Sequence, residues 1–367
     1  MSPFFIAFLL HETVLCGKIL PVMKNRILSI AGICLLTAAV CGLTAVQAED
    51  PAQPKTAAPA QAAQTDYIYL ADPTIFYDQG TYYLYGTGNS NEGFWVYTSQ
   101  DLKTWKGPVG TKKGYALIKG DSFGSGKFWA PQVFLYKGVY YMAYAADEYI
   151  AIASAKSPLG PFTQENLEKI PCDTHQIDPY IFFDDDGKVY FYHVRLDRGN
   201  RIYVAEMTPD LRQIKKETLR ECVATGKNPA EAQWENTNNQ DWGVIEGPTV
   251  IKRGGTYYLF YSANDYRSPD YAVGYATASS PLGPWTRDES SPILNRKLIG
   301  ENGTGHGDIF TDGSGKLFYV FHTHKSNDTV HNRRTAVAEL KAVEQDGKTV
   351  FSIDRNSFRF FRVDKKK

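Results

Sequence analysis

The sequence has no net charge, because its 367 residues include 40 basic and 40 acidic side chains. A role in binding nucleic acid or a membrane surface therefore has no electrostatic support. Cysteine is scarce, and Cys16, Cys34 and Cys41 lie in an apolar N-terminal stretch. The two other cysteines, Cys172 and Cys222, do not have the spacing of a zinc or iron–sulfur site. Cys172 and Cys222 remain, and they could either pair in an oxidising compartment or stay as separate thiols.

The N-terminal stretch is predicted to be a signal peptide over residues 1–48. The basic segment MKNR at 23–26 precedes the apolar run ILSIAGICLLTAAVCGLTAV, and VQA at 46–48 supplies a small-residue cleavage site. Met23 is the expected true start of the protein. An uncleaved membrane anchor is the alternative, because the apolar run is nearly long enough to span a bilayer. With cleavage, the protein is secreted or periplasmic and does not contact a membrane.

Residues 49–65, EDPAQPKTAAPAQAAQT, are predicted to be a linker. This Pro/Ala/Gln composition cannot bury a hydrophobic core. The folded domain is therefore expected over residues 66–367.

Helical patterns are nearly absent after the leader, whereas one hairpin pattern occurs five times. Each copy has a polar or small anchor, a short apolar strand, a glycine-containing turn and an aromatic strand. The copies align on Pro73, Pro131, Pro179, Pro248 and Gly307, with spacings of 58, 48, 69 and 59 residues. Periods of this size in a strand-rich chain are typical of propeller blades. We therefore predict an all-β fold, a five-bladed β-propeller with four short strands per blade.

The residues directly before the aligned positions are predicted to meet at one end of the central channel. They are Asp72, Ala130, Asp178, Gly247 and His306, and Glu246 lies one residue before its anchor. Three carboxylates gathered at a concave mouth repel one another and lose solvation, which raises the pKa of at least one of them. Glycoside hydrolysis needs a carboxylate pair with separated pKa values, one group ionised and the other protonated.

These motifs resemble glycoside hydrolase family 43, a family of five-bladed propeller enzymes. The matching segments are ADP at 71–73, WAPQV at 129–133, IDP at 177–179, EGP at 246–248 and GHGD at 305–308. Each segment alone is weak, but all five occur in order and in register with the repeat. The resemblance covers essentially all of residues 66–367.

The resemblance implies a role for each carboxylate. Asp72 would be the general base that deprotonates the attacking water, and Glu246 would be the general acid. Asp178 would raise the pKa of Glu246 and hold its orientation. The family inverts anomeric configuration, which suits a separation wide enough to admit a water.

Four further residues are candidate substrate-binding residues. Trp129 is placed to stack on a sugar face, although it could also be a core residue. His306 would lie at the channel, where it could hold a cation through water or be an ordinary turn histidine. Arg333 and Arg334 include a candidate substrate contact, with an exposed strand-edge pair as the alternative. No dedicated metal ligands are visible, so no cofactor is expected to be required, and a Ca²⁺ ion would be structural.

The resemblance implies a secreted glycosidase acting on arabinan, arabinoxylan or xylan-type saccharides. The expected activity is that of an α-L-arabinofuranosidase or β-xylosidase. The insertion GKNPAEAQWENTNNQDW at 226–242 could wall off a pocket, which favours exo action. An endo-1,5-α-L-arabinanase is the alternative within enzymes, and a non-catalytic carbohydrate-binding propeller is the alternative outside them. Pentose or galactose specificity stays open.

Overall fold

Five antiparallel sheets follow one another along the chain and form the blades of a β-propeller, which confirms the predicted fold class. The computed structural model describes residues 65–226 and 232–364. The predicted signal peptide and nearly all of the linker lie outside the described residues. Among the described residues, no helix combines the length and the apolar character that a membrane crossing requires.

The regular elements are numbered in chain order. The strands are β1 (Thr65–Tyr67), β2 (Ala71–Asp78), β3 (Thr81–Thr87), β4 (Gly93–Trp95), β5 (Tyr97–Ser99), β6 (Tyr115–Ile118), β7 (Trp129–Tyr136), β8 (Val139–Ala146), β9 (Tyr149–Ala155), β10 (Gln176–Phe183), β11 (Val189–Leu196), β12 (Asn200–Met207), β13 (Arg220–Val223), β14 (Ile245–Arg253), β15 (Thr256–Ala263), β16 (Ala272–Ala278), β17 (Thr286–Arg287), β18 (Gly305–Thr311), β19 (Leu317–Thr323), β20 (Arg334–Gln345), β21 (Lys348–Phe360) and β22 (Arg362–Asp364). Helix α1 spans Arg296–Ile299, and two 3₁₀ helices span Lys216–Thr218 and Gln233–Glu235.

The prediction of four strands in every blade is correct for three blades. Blades three, four and five are the sheets β10–β13, β14–β17 and β18–β21, whereas β2-β3-β5 and β7-β8-β9 have three strands each. The fourth position of blades one and two is reduced to the single bridges Thr98–Lys106 and Ser154–Thr163. Each bridge lies beside a Gly-Pro pair, as does the two-residue strand β17 of blade four, and proline has no N–H with which to extend a ladder.

Every inner strand begins with the same backbone distortion. Pairing with the second strand of the blade slips between Ala71 and Thr74, and the corresponding slip recurs in the other four blades. The anchor at each slip has a left-handed backbone, with φ of 48° at Asp72, 45° at Ala130, 55° at Asp178, 61° at Gly247 and 41° at His306. Five equivalent β-bulges therefore stand around the axis, in the register that the hairpin repeat predicts.

Buried tyrosines join neighbouring blades. The hydroxyl of Tyr85 in β3 donates to the carbonyl of Pro158 in blade two, and that of Tyr192 in β11 donates to the carbonyl of Pro281 in blade four at 2.6 Å. Both prolines belong to the repeated segment SPLGP. The repeat thus supplies a carbonyl acceptor for the tyrosine of the preceding blade, since a buried hydroxyl needs a partner.

The two ends of the described chain close the ring. Strand β1 pairs with β22, and the N–H of Ile68 donates to the carbonyl of Phe361 at 3.0 Å. The Thr335 hydroxyl donates to the carbonyl of Leu70 at 2.8 Å. The segment before blade one is therefore fixed against blade five.

Cys172 and Cys222 are both free thiols. Cys172 lies in the loop before β10, whereas Cys222 lies within β13. Burial raises the pKa of the Cys222 thiol well above its ordinary value. Of the two alternatives that the sequence leaves open, the structure shows the separate thiols.

The described part of the insertion before β14 is attached to blade four by a buried ion pair. Glu235 is 0 % exposed, and Oε1 accepts hydrogen bonds from Arg287 Nε at 2.7 Å and from the Tyr261 hydroxyl at 2.6 Å. The Asn264 side chain adds a second link, because Nδ2 donates to the carbonyl of Trp234 at 2.7 Å. Residues 232–242 are thereby held against blade four.

We predict that Glu235→Gln destabilises the protein by about 2–3 kcal/mol, because it leaves a desolvated guanidinium without its counter-ion. This range lies below that of a fully buried pair, since the Arg287 side chain is 31 % exposed. Urea denaturation measures the change. Lys316→Met is the control, because it breaks a surface pair with Glu339 and should have a much smaller effect. Equal effects of the two variants would contradict the prediction.

Candidate active site

The five inner strands open into one cleft of about 1020 Å³. All five blades contribute to its walls, and so do the segments before β2, β14 and β20. Its aromatic lining residues are Tyr67, Tyr69, Trp95, Tyr97, Trp129, Trp242 and Tyr266. Asp72, Asp178, Glu246 and His306 lie at its floor. The structure therefore brings the three predicted carboxylates together beneath walls that carry these aromatic side chains.

Asp72 is held in its ionised form by neighbouring nitrogen atoms. Oδ1 accepts a hydrogen bond from Arg333 Nη1 at 3.0 Å, and the Nδ1 atoms of His306 and His322 lie 3.5 and 3.4 Å from the same oxygen. Burial disfavours the charged carboxylate, but the pKa of Asp72 is nevertheless lowered, and the charge of Arg333 is the largest cause of the lowering. The Thr87 hydroxyl contributes in the same direction.

Glu246 has the opposite environment. Its Oε1 accepts from the Tyr271 hydroxyl at 2.7 Å and its Oε2 from Asn200 Nδ2 at 2.8 Å. Burial raises the pKa of Glu246 to about 7 against these two hydrogen bonds, and the charges of Asp72 and Asp265 add to the rise. A large fraction of Glu246 is consequently protonated near neutral pH.

Asp178 lies beside Glu246, and the charged form of its carboxylate is likewise disfavoured. Burial and the charges of Glu246 and Asp72 raise the pKa of Asp178 well above its ordinary value, although the N–H of Gly247 donates to Oδ2 at 3.1 Å. Two coupled carboxyl groups titrate as a pair. We expect Asp178 and Glu246 to hold one proton between them. The sequence analysis predicts that Asp178 raises the pKa of Glu246, and Glu246 raises the pKa of Asp178 in return.

His306 lies at the floor of the cleft, between two of the carboxylates. Its Nδ1 is 3.5 Å from Asp72 Oδ1 and 3.9 Å from Asp178 Oδ2. Burial and the charge of Arg333 lower the pKa of His306 in spite of Asp72, so the ring is neutral near pH 7.

A second ring of side chains closes the channel behind these residues. Its members follow the anchors by two positions and are Thr74, Gln132, Tyr180, Thr249 and Asp308. The oxygen atoms are already engaged: the Thr74 hydroxyl donates to Asp308 at 2.6 Å, and the Thr249 hydroxyl donates to the carbonyl of Gly307 at 3.1 Å. The cavity here measures about 30 Å³.

This ring does not fit a Ca²⁺ ion caged by protein atoms. Ca²⁺ takes six to eight oxygen ligands, whereas the Thr74, Thr249 and Gln132 side-chain oxygens of this ring are already hydrogen-bonded within the protein. Among residues 65–226 and 232–364, no group of three or more His, Cys, Asp or Glu side chains could hold a metal ion. An ion beside His306 would therefore be bound through water.

The candidate substrate-binding residues divide into two groups. Trp129 and Arg333 line the cleft with His306, and the Arg333 guanidinium lies 4.5 Å from the centre of the Tyr266 ring. Arg334 is not in the cleft lining: its Nε donates to the carbonyl of His324 at 3.0 Å, and its Nη2 pairs with Glu301 at 2.5 Å. This corrects the expectation for Arg334, whose guanidinium is bound within blade five.

Three residues of the site are missing from the sequence-based prediction. His322 pairs with Gly305 across the fifth hairpin, so the hairpin register was a usable signal for its position. Tyr271 precedes β16, and Asn200 begins β12. These two residues reach Glu246 from outside the inner hairpins, and the repeat therefore contains no signal for either of them.

An ionised carboxylate and a carboxyl group with a pKa of about 7 thus share one cleft, on a fold with a central axis. This combination suits the hydrolysis of glycosidic bonds, in which one group activates water and the other donates a proton to the leaving oxygen. The fold and the site define the protein as a propeller-type glycoside hydrolase.

The chain belongs to glycosyl hydrolases family 43, whose model matches residues 68–349. A solved structure described as an endo-1,4-β-xylanase from Bacteroides thetaiotaomicron VPI-5482 superposes with a TM-score of 0.74 at 38 % identity, covering 82 % of this chain and 99 % of its own. The family resemblance drawn from the sequence motifs is thereby confirmed.

Curated relatives have names that specify different sugars. The β-D-galactofuranosidase xynD of Aspergillus niger is 26 % identical over 302 residues, which are 76 % of this chain and 81 % of the relative. The extracellular exo-α-(1→5)-L-arabinofuranosidase ArbA of Cellvibrio japonicus is 25 % identical over 302 residues, or 71 % of this chain and 80 % of the relative.

Proposed function

We propose that this protein is an inverting, exo-acting glycosidase that releases terminal α-L-arabinofuranosyl or β-D-xylosyl units from arabinan, arabinoxylan or xylan-type saccharides. Asp72 is the general base, Glu246 is the general acid, and Asp178 shares the proton of Glu246 and orients it. Trp129, His306 and Arg333 contact the sugar. The predicted leader directs the protein to the periplasm or the exterior, and no cofactor takes part in the reaction.

This proposal rests mainly on one observation: two carboxyl groups in the same cleft have surroundings that shift their pKa values in opposite directions. Arg333 lies 3.0 Å from Asp72 and stabilises its charge, whereas Glu246 has only neutral hydrogen-bond donors. A lectin has no use for a protonated glutamic acid beside an ionised aspartate. The arrangement therefore favours catalysis over the alternative of a non-catalytic sugar-binding propeller.

Exo action is supported by the lining of the cleft. Residues of all five blades surround it, from Tyr67 and Trp95 on one side to Trp242 and Tyr266 on others. Tyr67 and Trp242, which lie outside the five blade sheets, add to this lining, and a cleft closed at its sides would suit the end of a saccharide chain better than its middle. The endo-xylanase description of the related solved structure keeps endo action as the second candidate.

A panel of p-nitrophenyl glycosides tests this function: α-L-arabinofuranoside, β-D-xyloside and β-D-galactofuranoside. We expect release of nitrophenol from the arabinofuranoside or the xyloside, and proton NMR should show the inverted anomer first. Linear arabinan and xylan should release single sugars rather than long fragments. Saccharide binding without release of any product would support the non-catalytic alternative, and a retained anomer would contradict the role of Asp72.

The roles of Glu246 and Asp72 should separate by leaving group. A sugar hydroxyl leaves poorly without a proton, whereas dinitrophenolate leaves almost unaided. Glu246→Gln should therefore lose about 10²–10⁴-fold activity on oligosaccharides and much less on a dinitrophenyl glycoside. Asp72→Asn should damage both substrates comparably, because water attacks in either case. Identical responses of the two variants across leaving groups would show that the roles are wrong.

The acid limb of the pH–rate profile should depend on Arg333. The general base works only when ionised, so activity falls as the pH drops through the pKa of Asp72. Arg333→Met removes the cation that lowers this pKa, and the acid limb should therefore move to higher pH. Arg333→Lys should move it less, because a positive charge remains. An unmoved limb in Arg333→Met, with activity still measurable, would contradict the assignment.

A further inference from the structure

Glu246 is connected to the cleft wall by a short chain of hydrogen bonds. Trp242 Nε1 donates to Asn200 Oδ1 at 2.9 Å, and Asn200 Nδ2 donates to Glu246 Oε2 at 2.8 Å. The backbone N–H of Asn200 also donates to the carbonyl of Gly243 at 2.9 Å. The residue beside the acid is thus fixed to the segment that carries Trp242.

The direction of this chain is settled by the chemistry of its members. An indole N–H can only donate, so the side chain of Asn200 must turn its oxygen towards Trp242. The NH₂ group of Asn200 then faces Glu246 and can only donate to Oε2. The other oxygen, Oε1, faces the Tyr271 hydroxyl at 2.7 Å, and a hydroxyl can donate or accept.

We propose that Trp242 and Asn200 are positioning residues that fix the catalytic proton of Glu246 on Oε1. A proton on Oε2 would point at the NH₂ group of Asn200, and two donors that face each other cannot form a hydrogen bond. A proton on Oε1 meets Tyr271, whose hydroxyl oxygen is able to accept it. This inference rests on the proposed role of Glu246 as the general acid.

Trp242 connects the position of the Glu246 proton with the surface of the cleft. Its side chain is 51 % exposed and lines the cleft on the side of the acid. The leaving group must lie against the general acid, so a sugar unit in that position is next to the indole. Contact with the indole would restrict the orientation of the amide of Asn200 and, through it, the protonated oxygen of Glu246.

The alkaline limb of the pH–rate profile measures the protonation of Glu246. Its titration also depends on Asp72, Asp178 and Asp265, and on the Tyr271 hydroxyl. Substitutions at Trp242 and Asn200 leave all of these groups in place. Burial is the largest cause of the raised pKa of Glu246, and Trp242→Phe keeps a ring beside Asn200, so a displaced limb in that variant reports on the Trp242–Asn200 hydrogen bond.

Two variants test the proposal. Asn200→Ala removes a donor to the carboxylate, so the pKa of Glu246 should rise and the alkaline limb should move up by about 1 pH unit. Trp242→Phe keeps an aromatic ring but removes the N–H. The amide of Asn200 can then turn and accept a proton from Oε2, which should move the limb in the same direction by a smaller amount.

Trp129→Phe is the matched control, because it removes an indole N–H from the cleft without contacting this chain. Whatever its effect on rate, it should leave the alkaline limb in place. Thermal melting shows whether each variant is folded, and Trp242→Phe alone decides the question if Asn200→Ala is not. An alkaline limb that is unmoved or lowered in folded Trp242→Phe would overturn the proposal. Failure of the acid role itself is recognised separately, by Glu246→Gln showing no dependence on the leaving group.

Discussion

The site depends on a backbone constraint that repeats at the start of all five inner strands. Each anchor lies in the left-handed region, which costs a non-glycine residue on the order of 1–3 kcal/mol. The bulge turns the anchor towards the axis, and this brings Asp72, Asp178 and His306 to one floor. Gly247 meets the constraint without a side-chain penalty, and its N–H is directed at Asp178. The same distortion thus gathers the carboxylates and supplies one of their hydrogen bonds.

Convergence alone only brings the three acids together, and the neighbouring residues give them different protonation states. The Arg333 guanidinium donates a hydrogen bond to Asp72, whereas Glu246 contacts a tyrosine and an amide that carry no charge. Asp178 accepts a single backbone donor and lies close enough to Glu246 to couple with it. The difference between Asp72 and Glu246 therefore comes from Arg333, Tyr271 and Asn200, which lie outside the inner strands, while the inner strands supply the acids, His306 and the Gly247 N–H.

This division explains how much the sequence could predict. Hairpin turns and anchors repeat along the chain, so the blade number, the register and the three carboxylates follow from pattern alone. Arg333 and Arg334 were both candidates, with an exposed strand-edge pair as the alternative. Adjacent residues in an extended segment point to opposite sides, and the hairpin pattern does not tell which of the two faces the cleft. Asn200 and Tyr271 reach the site from unrepeated segments, whose positions are fixed only by tertiary packing.

The choice of sugar is expected to depend on those unrepeated segments, and the structure limits how freely they can vary. The 232–242 segment is anchored at Glu235, which is buried against Arg287, and carries Trp242 at its exposed end. Between these two residues, its side chains are mostly exposed and could change without affecting the acid. Trp242 is different, because it determines how Asn200 faces Glu246. A change of specificity at that position would also change the protonation of the catalytic acid, so the two properties are coupled through a single amide.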